Sequence, residues 1–323
     1  MVNLQTKIKN RNYESGSLSL PIELIKVARP VHWVKNLALF AALIFTGTLT
    51  IPSYFISVIW AFIAFNLAAS SIYVFNDIKD RNKDKKHPIK KDRPIAAGRL
   101  SVSVAMAYSV ALGLGSLYIA ASLNSLFFFA VLTYIVLQAL YSLALKNLAI
   151  IDILVIASGF VIRVYAGAFV INAHLSVWFL LTVISTALFL AAGKRRGELS
   201  TISDKARESL SKYKRELLNS YVTMFGNAAW MSWSLFTFFE SPPADLEVWL
   251  FLAEISKATT ISKLLMATIP LVIFIIMRYQ SLIFQDRAEA PEKLFLTDIP
   301  LVTAVTMYIA MVLAILYGGV ANV

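Results

Sequence analysis

Asp77, Asp80 and Asp84 stand at positions i, i+3 and i+7, directly after a long apolar stretch. If that stretch continues as a helix, the three carboxylates lie on one face over two turns. Clustered carboxylates repel one another unless a cation lies among them. Mg²⁺ suits the cluster, because it takes one or two carboxylates and fills its shell with water and phosphate oxygens. We predict that all three are metal ligands, with Asp77 and Asp80 catalytic; the alternative is a solvated loop that only fixes topology.

Basic residues follow these aspartates at Lys90, Lys91 and Arg93. Acids with bases beside them suit a Mg²⁺–pyrophosphate group, with metal on one side and cationic donors on the other. The three bases are therefore predicted to bind substrate. Gly98 is expected to end this loop, and Ser101 to cap the next helix.

A second cluster contains Tyr141, Lys146 and Asp152, and Arg163 lies further along the same apolar stretch. Lys146 and Asp152 are predicted to be catalytic, and Tyr141 to bind substrate; a topology-anchoring lysine with a capping aspartate is the alternative. Ionisable residues inside a span normally face a polar cavity. Arg163 would lie about 16 Å from Asp152 along a helix and could line a deep pocket, or form a structural pair.

Two further groups complete the predicted substrate-binding set. Lys194, Arg195 and Glu198 end an apolar stretch, where a basic stop that only fixes topology is a strong alternative. Lys35 and Asn36 lie at the start of another apolar stretch, where they could reach a lipid head group at the inner leaflet.

The composition indicates an integral membrane protein. Of 323 residues, 58% are hydrophobic and 15% charged, with a net charge of +11 and a mean hydropathy of +0.69. These values exclude a soluble domain, a nucleic-acid-binding protein and a disordered chain. Because the chain has no cysteine, disulfides and thiolate chemistry are excluded, and its three scattered histidines make a zinc site a poor hypothesis.

The apolar stretches predict an all-α protein with about nine transmembrane helices. Residues 1–30 are expected to form a cytoplasmic and interfacial segment, and 31–323 a single transmembrane catalytic domain. With the N-terminus in the cytoplasm and the C-terminus outside, all but three of the 30 Lys and Arg residues lie on the inner side. The predicted spans are 33–50, 53–75, 101–121, 125–145, 150–171, 176–194, 217–239, 262–284 and 297–319.

The ordered motifs resemble the UbiA superfamily of intramembrane prenyltransferases. Its NDxxDxxxD motif is matched by Asn76 and the three aspartates, and its RPxxxG motif by 93–98. Nine helices around a central cavity is the fold that this resemblance implies, and it adds Asn76 to the substrate-binding set. The resemblance is stronger to the decaprenyl-phosphate phosphoribosyltransferase branch, in stretches 29–36, 87–98, 141–167, 191–199 and 290–298.

The branch resemblance implies a cytoplasmic-membrane enzyme whose active site faces the cytoplasm. It would transfer 5-phosphoribose from 5-phosphoribosyl 1-pyrophosphate to polyprenyl phosphate with Mg²⁺, and pyrophosphate would be released. The lipid product would be used in cell-wall synthesis. Lys146, Lys194 and Arg195 would bind phosphate groups. No nucleic-acid partner is implied, and whether the chain forms a homo-oligomer stays open.

Two other functions remain as alternatives. A prenyltransferase acting on an aromatic or other small acceptor would share the fold and the metal, but it commonly carries a second aspartate-rich motif, of which only Asp204 is present. A transporter or scaffold would fit the spans and Arg163, although the chain lacks the inverted repeat that transporters show.

Overall fold

The computed structural model describes residues 20–201, 213–240, 261–285, 294–295 and 297–317. Within these ranges every regular element is a helix. The N-terminal helix α1 covers 20–28 and is followed by a 3₁₀ helix, Pro30–Leu39. The others are α2 Phe40–Phe45, α3 Pro52–Lys79, α4 Arg81–Asp84, α5 Val102–Leu123, α6 Ser125–Leu143, α7 Ile151–Val170, α8 Val177–Thr201, α9 Arg215–Phe239, α10 Ile269–Phe284 and α11 Ile299–Tyr317, with 3₁₀ helices at Lys90–Asp92, Leu145–Asn147 and Ile261–Thr268.

Seven helices of the described chain are long and apolar enough to cross a membrane, which confirms the predicted all-α membrane fold. They are Pro52–Lys79, Val102–Leu123, Ser125–Leu143, Ile151–Val170, Val177–Leu199, Leu264–Phe284 and Ile299–Tyr317. The other two predicted spans correspond to a shorter apolar helix, Pro30–Phe45, and to α9, which has 25 residues but is not in the apolar set. Nine spans and the orientation of the termini stay predictions.

The helices group into two compact units, and the single domain expected over 31–323 stays a prediction. Of the described residues, the first unit contains 20–37 and 60–142. Small hydroxyl residues join its helices: Ser116 Oγ donates to Ala64 O at 2.7 Å, and Ser71 Oγ donates to Ser109 O at 2.8 Å. Such residues let transmembrane helices approach closely while satisfying their own polar atoms.

The start of α5 agrees with the local prediction. Ser101 caps the helix, because its Oγ accepts a hydrogen bond from the Val104 N–H at 3.3 Å. Gly98 has a φ of +77°, and a Cβ there would have no neighbour within 4 Å. Glycine is therefore needed for its left-handed backbone conformation and not for space.

The second unit contains residues 38–59 and the described residues from 143 onward. Four aromatic rings pack together in it, with Phe45 lying 5.0 to 5.9 Å from the rings of Phe179, Trp233 and Phe236. Tyr317 at the end of α11 donates its hydroxyl to the Ile44 carbonyl at 2.6 Å. These contacts join α2 to α8, α9 and α11.

Gly167 allows the backbone of Leu39 to pack directly on α7. A Cβ at this position would lie 2.0 Å from the Leu39 carbonyl oxygen. We expect Gly167→Ala to lower the free energy of unfolding by about 3 kcal/mol, because the main chain must shift to relieve the clash. The matched control is Gly115→Ala, whose Cβ would meet only Leu67 Cδ1 at 3.8 Å. Unfolding of both purified variants in detergent checks this; equal stability of the two would contradict it.

Candidate active site

Two aspartates lie buried where α3 ends. Asp77 is in the last turn of α3 with 2% of its surface exposed, and Asp84 ends α4 with 5% exposed. The helix is interrupted at Asp80, but helical hydrogen bonding continues across the break. The Asp80 N–H donates to Asn76 O and the Asp84 N–H donates to Asp80 O, both at 2.8 Å. The single helix expected from the spacing is therefore two helices joined at Asp80, which is half-buried.

Two arginines hold these carboxylates. Arg93 Nη1 lies 3.0 Å from Asp77 Oδ1 and 2.7 Å from Asp84 Oδ2, so that a single nitrogen joins both side chains. Arg29 forms a second ion pair with Asp77 Oδ1. The sequence predicted Arg93 but missed Arg29, although Arg29 opens the stretch 29–36 that carries part of the family resemblance.

The paired carboxylates have the chemistry that Mg²⁺ prefers. Two hard oxygen ligands suffice for this ion when phosphate and water complete its shell. Among the described residues no three His, Asp or Glu side chains come together as a cation cage. Asp77 and Asp84 therefore fit a Mg²⁺ site with two carboxylate ligands. The ligand roles of Asp77, Asp80 and Asp84 stay predictions.

The remaining predicted residues of the first unit differ in exposure. Lys90 and Lys91 are exposed, as a ligand for an incoming anion would be. Asn36 is wholly buried, and its Nδ2 donates to Asn66 Oδ1 at 2.6 Å. The half-buried ones are Lys35, Asn76 and Tyr141.

A chain of four polar side chains, three of them buried, lies in the second unit. Arg195 and Asp152 are both 0% exposed, and Arg195 Nε lies 2.6 Å from Asp152 Oδ2. Arg195 also pairs with Glu198, one turn further along α8. The Tyr213 hydroxyl donates to Asp152 Oδ1 at 2.7 Å. The structure thus brings together Asp152 from one predicted cluster, Arg195 and Glu198 from another, and Tyr213, which the sequence analysis missed.

Tyr213 donates its hydroxyl to a buried carboxylate. Burial raises the pKa of its hydroxyl strongly, and the hydrogen bond to the Asp152 carboxylate raises the pKa further. The hydroxyl oxygen also accepts a hydrogen bond from the Ile150 N–H. Ile150 precedes α7 with a φ of +70°, so Tyr213 ties down a strained helix start.

Further basic side chains lie buried around α7 and α8. Lys146 is 8% exposed in the 3₁₀ helix Leu145–Asn147, and Lys194 is half-buried. Arg163 is 5% exposed, and its Nη1 donates to Gly159 O at 2.5 Å, one turn back along α7. This local bond agrees with the structural-pair alternative, and the pocket-lining role of Arg163 stays a prediction.

The sequence missed Tyr213, Arg196 and Asn219. Arg196 is 2% exposed, and its Nε donates to Asn219 Oδ1 at 2.7 Å. Arg196 was visible as the neighbour of Arg195, but Tyr213 and Asn219 have no local signal, because their partners are more than 20 positions away. Asp204 lies outside the described residues.

Comparison with known families decides to which family the chain belongs. The model of the UbiA prenyltransferase family matches residues 36–298. The chain belongs to the UbiA prenyltransferase family. It is therefore a membrane-embedded transferase, as predicted.

Relatives and solved structures agree with this family. The chain is 40% identical over 232 residues to a decaprenyl-phosphate phosphoribosyltransferase from Mycolicibacterium smegmatis, covering 69% of this chain and 72% of the relative. It is 34% identical to a protein of the same name from Mycobacterium tuberculosis, covering 67% and 74%. A UbiA homolog from Archaeoglobus fulgidus, solved with GPP and Mg²⁺, superposes with a TM-score of 0.65 at 18% identity, covering 91% of this chain and 99% of that chain. That likeness supports the fold.

Proposed function

We propose that the chain transfers 5-phosphoribose from 5-phosphoribosyl 1-pyrophosphate to a polyprenyl phosphate of the decaprenyl type, in a Mg²⁺-dependent reaction that releases pyrophosphate. The observation that carries this proposal is the 34 to 40% identity to decaprenyl-phosphate phosphoribosyltransferases over about 70% of the chain. The charged groups of the described structure suit the same reaction.

The leaving group is assigned to the first unit. Breaking the bond between C1 of the ribose and the pyrophosphate oxygen builds negative charge on pyrophosphate. Asp77 and Asp84, with Asp80, would hold Mg²⁺, which supplies positive charge to the departing pyrophosphate. Arg93 already touches both carboxylates, so its guanidinium is positioned to donate to a pyrophosphate oxygen beside them. Asn76, Lys90 and Lys91 are assigned to the same anion.

The phosphate groups of donor and acceptor are assigned to the second unit. Lys146, Lys194 and Arg195 are proposed to bind the 5-phosphate or the lipid phosphate, and Asp152 and Glu198 to orient Arg195. The new bond joins a lipid phosphate oxygen to C1 of the ribose. Because that phosphate is already ionised, no proton must be removed, and the step needs no general base.

The proposed setting is the cytoplasmic membrane. The polyprenyl chain would lie in the bilayer among the helices, with its phosphate at the inner face. The donor is water-soluble and would arrive from the cytoplasm, the side to which the predicted topology with nine spans assigns most of the Lys and Arg residues.

The choice of donor is the decisive test. Membranes or purified protein are incubated with labelled 5-phosphoribosyl 1-pyrophosphate, polyprenyl phosphate and Mg²⁺, and the lipid fraction is counted. We expect a labelled lipid whose formation stops with a chelator and resumes with added Mg²⁺. A parallel reaction supplies a prenyl diphosphate and an aromatic acceptor. If only the prenyl diphosphate is consumed, the alternative prenyltransferase function replaces this one.

A further inference from the structure

One face of α3 carries a stripe of polar and aromatic side chains that ends at the aspartates. Asn66, Ser70, Tyr73 and Asp77 follow one another at spacings of four, three and four residues. This spacing places them in a row along a single face of an α-helix. Asn66, Ser70 and Asp77 are at most 5% exposed, so the row is buried within the first unit.

The lower part of the row is bonded to the N-terminal 3₁₀ helix. Asn36 Nδ2 donates to Asn66 Oδ1 at 2.6 Å. Trp33 Nε1 donates to Ser70 Oγ at 3.0 Å, and Ser70 Oγ in turn donates to the Ala28 carbonyl at 3.0 Å. Polar groups buried in a membrane protein must find such partners, so these bonds fix how the segment lies on α3.

The upper part of the row reaches the site. The Tyr73 ring lies 5.4 Å from the His32 ring and 5.4 Å from the Arg29 guanidinium carbon, and Arg29 pairs with Asp77. As the N-terminal segment is followed from residue 29 to 36, its partners run from Asp77 back to Asn66. The N-terminal segment and α3 therefore run antiparallel. We call this row of contacts, from Asn36 with Asn66 to Arg29 with Asp77, the ladder.

The ladder explains why Pro30–Leu39 is a 3₁₀ helix. Three residues of a 3₁₀ helix rise about 6 Å, which equals the rise of four residues of an α-helix. Trp33 and Asn36 can therefore stay opposite Ser70 and Asn66. The outer face agrees with this period of three, since Val31, Val34 and Leu37 are 72, 46 and 52% exposed.

Arg29 needs this support because its backbone is strained. Its φ is +55°, a left-handed conformation that a residue with a Cβ seldom adopts. Such a conformation persists only where the surroundings over-determine it. Ala28 on one side is bonded to Ser70, and Pro30 on the other begins the 3₁₀ helix.

We infer that Ser70 and Asn66 are positioning residues, and that the ladder sets the Arg29 guanidinium against Asp77 so that it binds the pyrophosphate released there. This inference rests on the proposed release of pyrophosphate beside Asp77. It gives Asn36 a part in holding the segment, which differs from the head-group contact expected from the sequence. None of these residues needs to touch substrate except Arg29.

The test is a double-mutant cycle between Ser70→Ala and Arg29→Gln, read by the affinity of the purified protein for Mg²⁺–pyrophosphate in calorimetry and by kcat. Ser70→Ala is expected to weaken pyrophosphate binding and lower kcat by about tenfold, the usual size for a supporting residue. Arg29→Gln removes the direct contact and is expected to cost at least as much. In the Arg29→Gln background, Ser70→Ala should have no further effect. Ser70→Thr keeps the hydroxyl and should restore most of the loss.

The matched control is Ser71→Ala. Ser71 is the next residue, is also buried at 8% exposure, and bonds to α5 instead of the N-terminal segment. It should lose stability without losing pyrophosphate affinity.

Three outcomes would overturn the inference: effects of Ser70→Ala and Arg29→Gln that multiply, equal loss of affinity in Ser70→Ala and Ser71→Ala, or no pyrophosphate binding by the parent protein. Calorimetry uses neither the phosphoribosyl donor nor the lipid. It therefore tests whether the ladder positions Arg29 for pyrophosphate even if the proposed substrates are wrong.

Discussion

Asp77→Asn should lower the rate of labelled-lipid formation by about 10³-fold, because the amide keeps the size of the side chain but removes the charge that would hold the metal. Asp77 is also the residue on which both Arg29 and Arg93 converge, so its neutralisation disturbs the whole cluster. The measurement is the initial rate at saturating Mg²⁺ with protein that elutes as a folded species in detergent.

Two companion variants make this result specific. Asp92→Asn removes the same kind of charge from a position after α3, but Asp92 is exposed and forms part of the short 3₁₀ helix Lys90–Asp92, so this variant should remain active. Asp80→Asn changes a predicted metal ligand other than the two aspartates that pair with Arg93. It therefore shows whether a loss of activity in Asp77→Asn reflects the metal or a folding defect of that one variant. Turnover that survives both Asp77→Asn and Asp80→Asn, or that is indifferent to chelator, would refute the metal assignment.

Asp152→Ala should lower the free energy of unfolding by about 3 kcal/mol, since removing one partner of a buried ion pair leaves the other charge only partly compensated. Arg195 is wholly buried and would keep only Glu198 as a charged partner among the contacts described above, while Tyr213 would lose its acceptor. Denaturant unfolding of the purified protein in detergent measures the loss.

Glu216→Ala is the matched control for this second experiment. It removes an exposed carboxylate from the first turn of α9, and its effect should stay within about 0.5 kcal/mol. Asp152→Asn should lie between the two, because the amide can still accept from Tyr213. If Asp152→Ala is as stable as Glu216→Ala but inactive, the catalytic role predicted from the sequence is the better account of Asp152.

Much of the fold and part of the site followed from local patterns. Seven of the predicted spans coincide with helices long and apolar enough to cross a membrane, because about 20 consecutive apolar residues have few alternatives to such a helix. The family followed from motifs such as NDxxDxxxD, where spacing along the chain is itself the signal. Ser101 was predictable as a cap because its partner is three residues away.

The sequence by itself therefore determined a basic, cysteine-free membrane transferase of the UbiA family, together with the aspartates and bases that its motifs contain. Only the tertiary structure decided which charges pair: Arg29 with Asp77 across 48 positions, and Tyr213 with Asp152 across 61. It also decided that Pro30–Leu39 is a 3₁₀ helix, which depends on matching side chains in α3. The reason is physical: apolar length and motif spacing act within one segment, whereas buried polar groups take whichever partner the packing of distant helices brings within hydrogen-bonding distance.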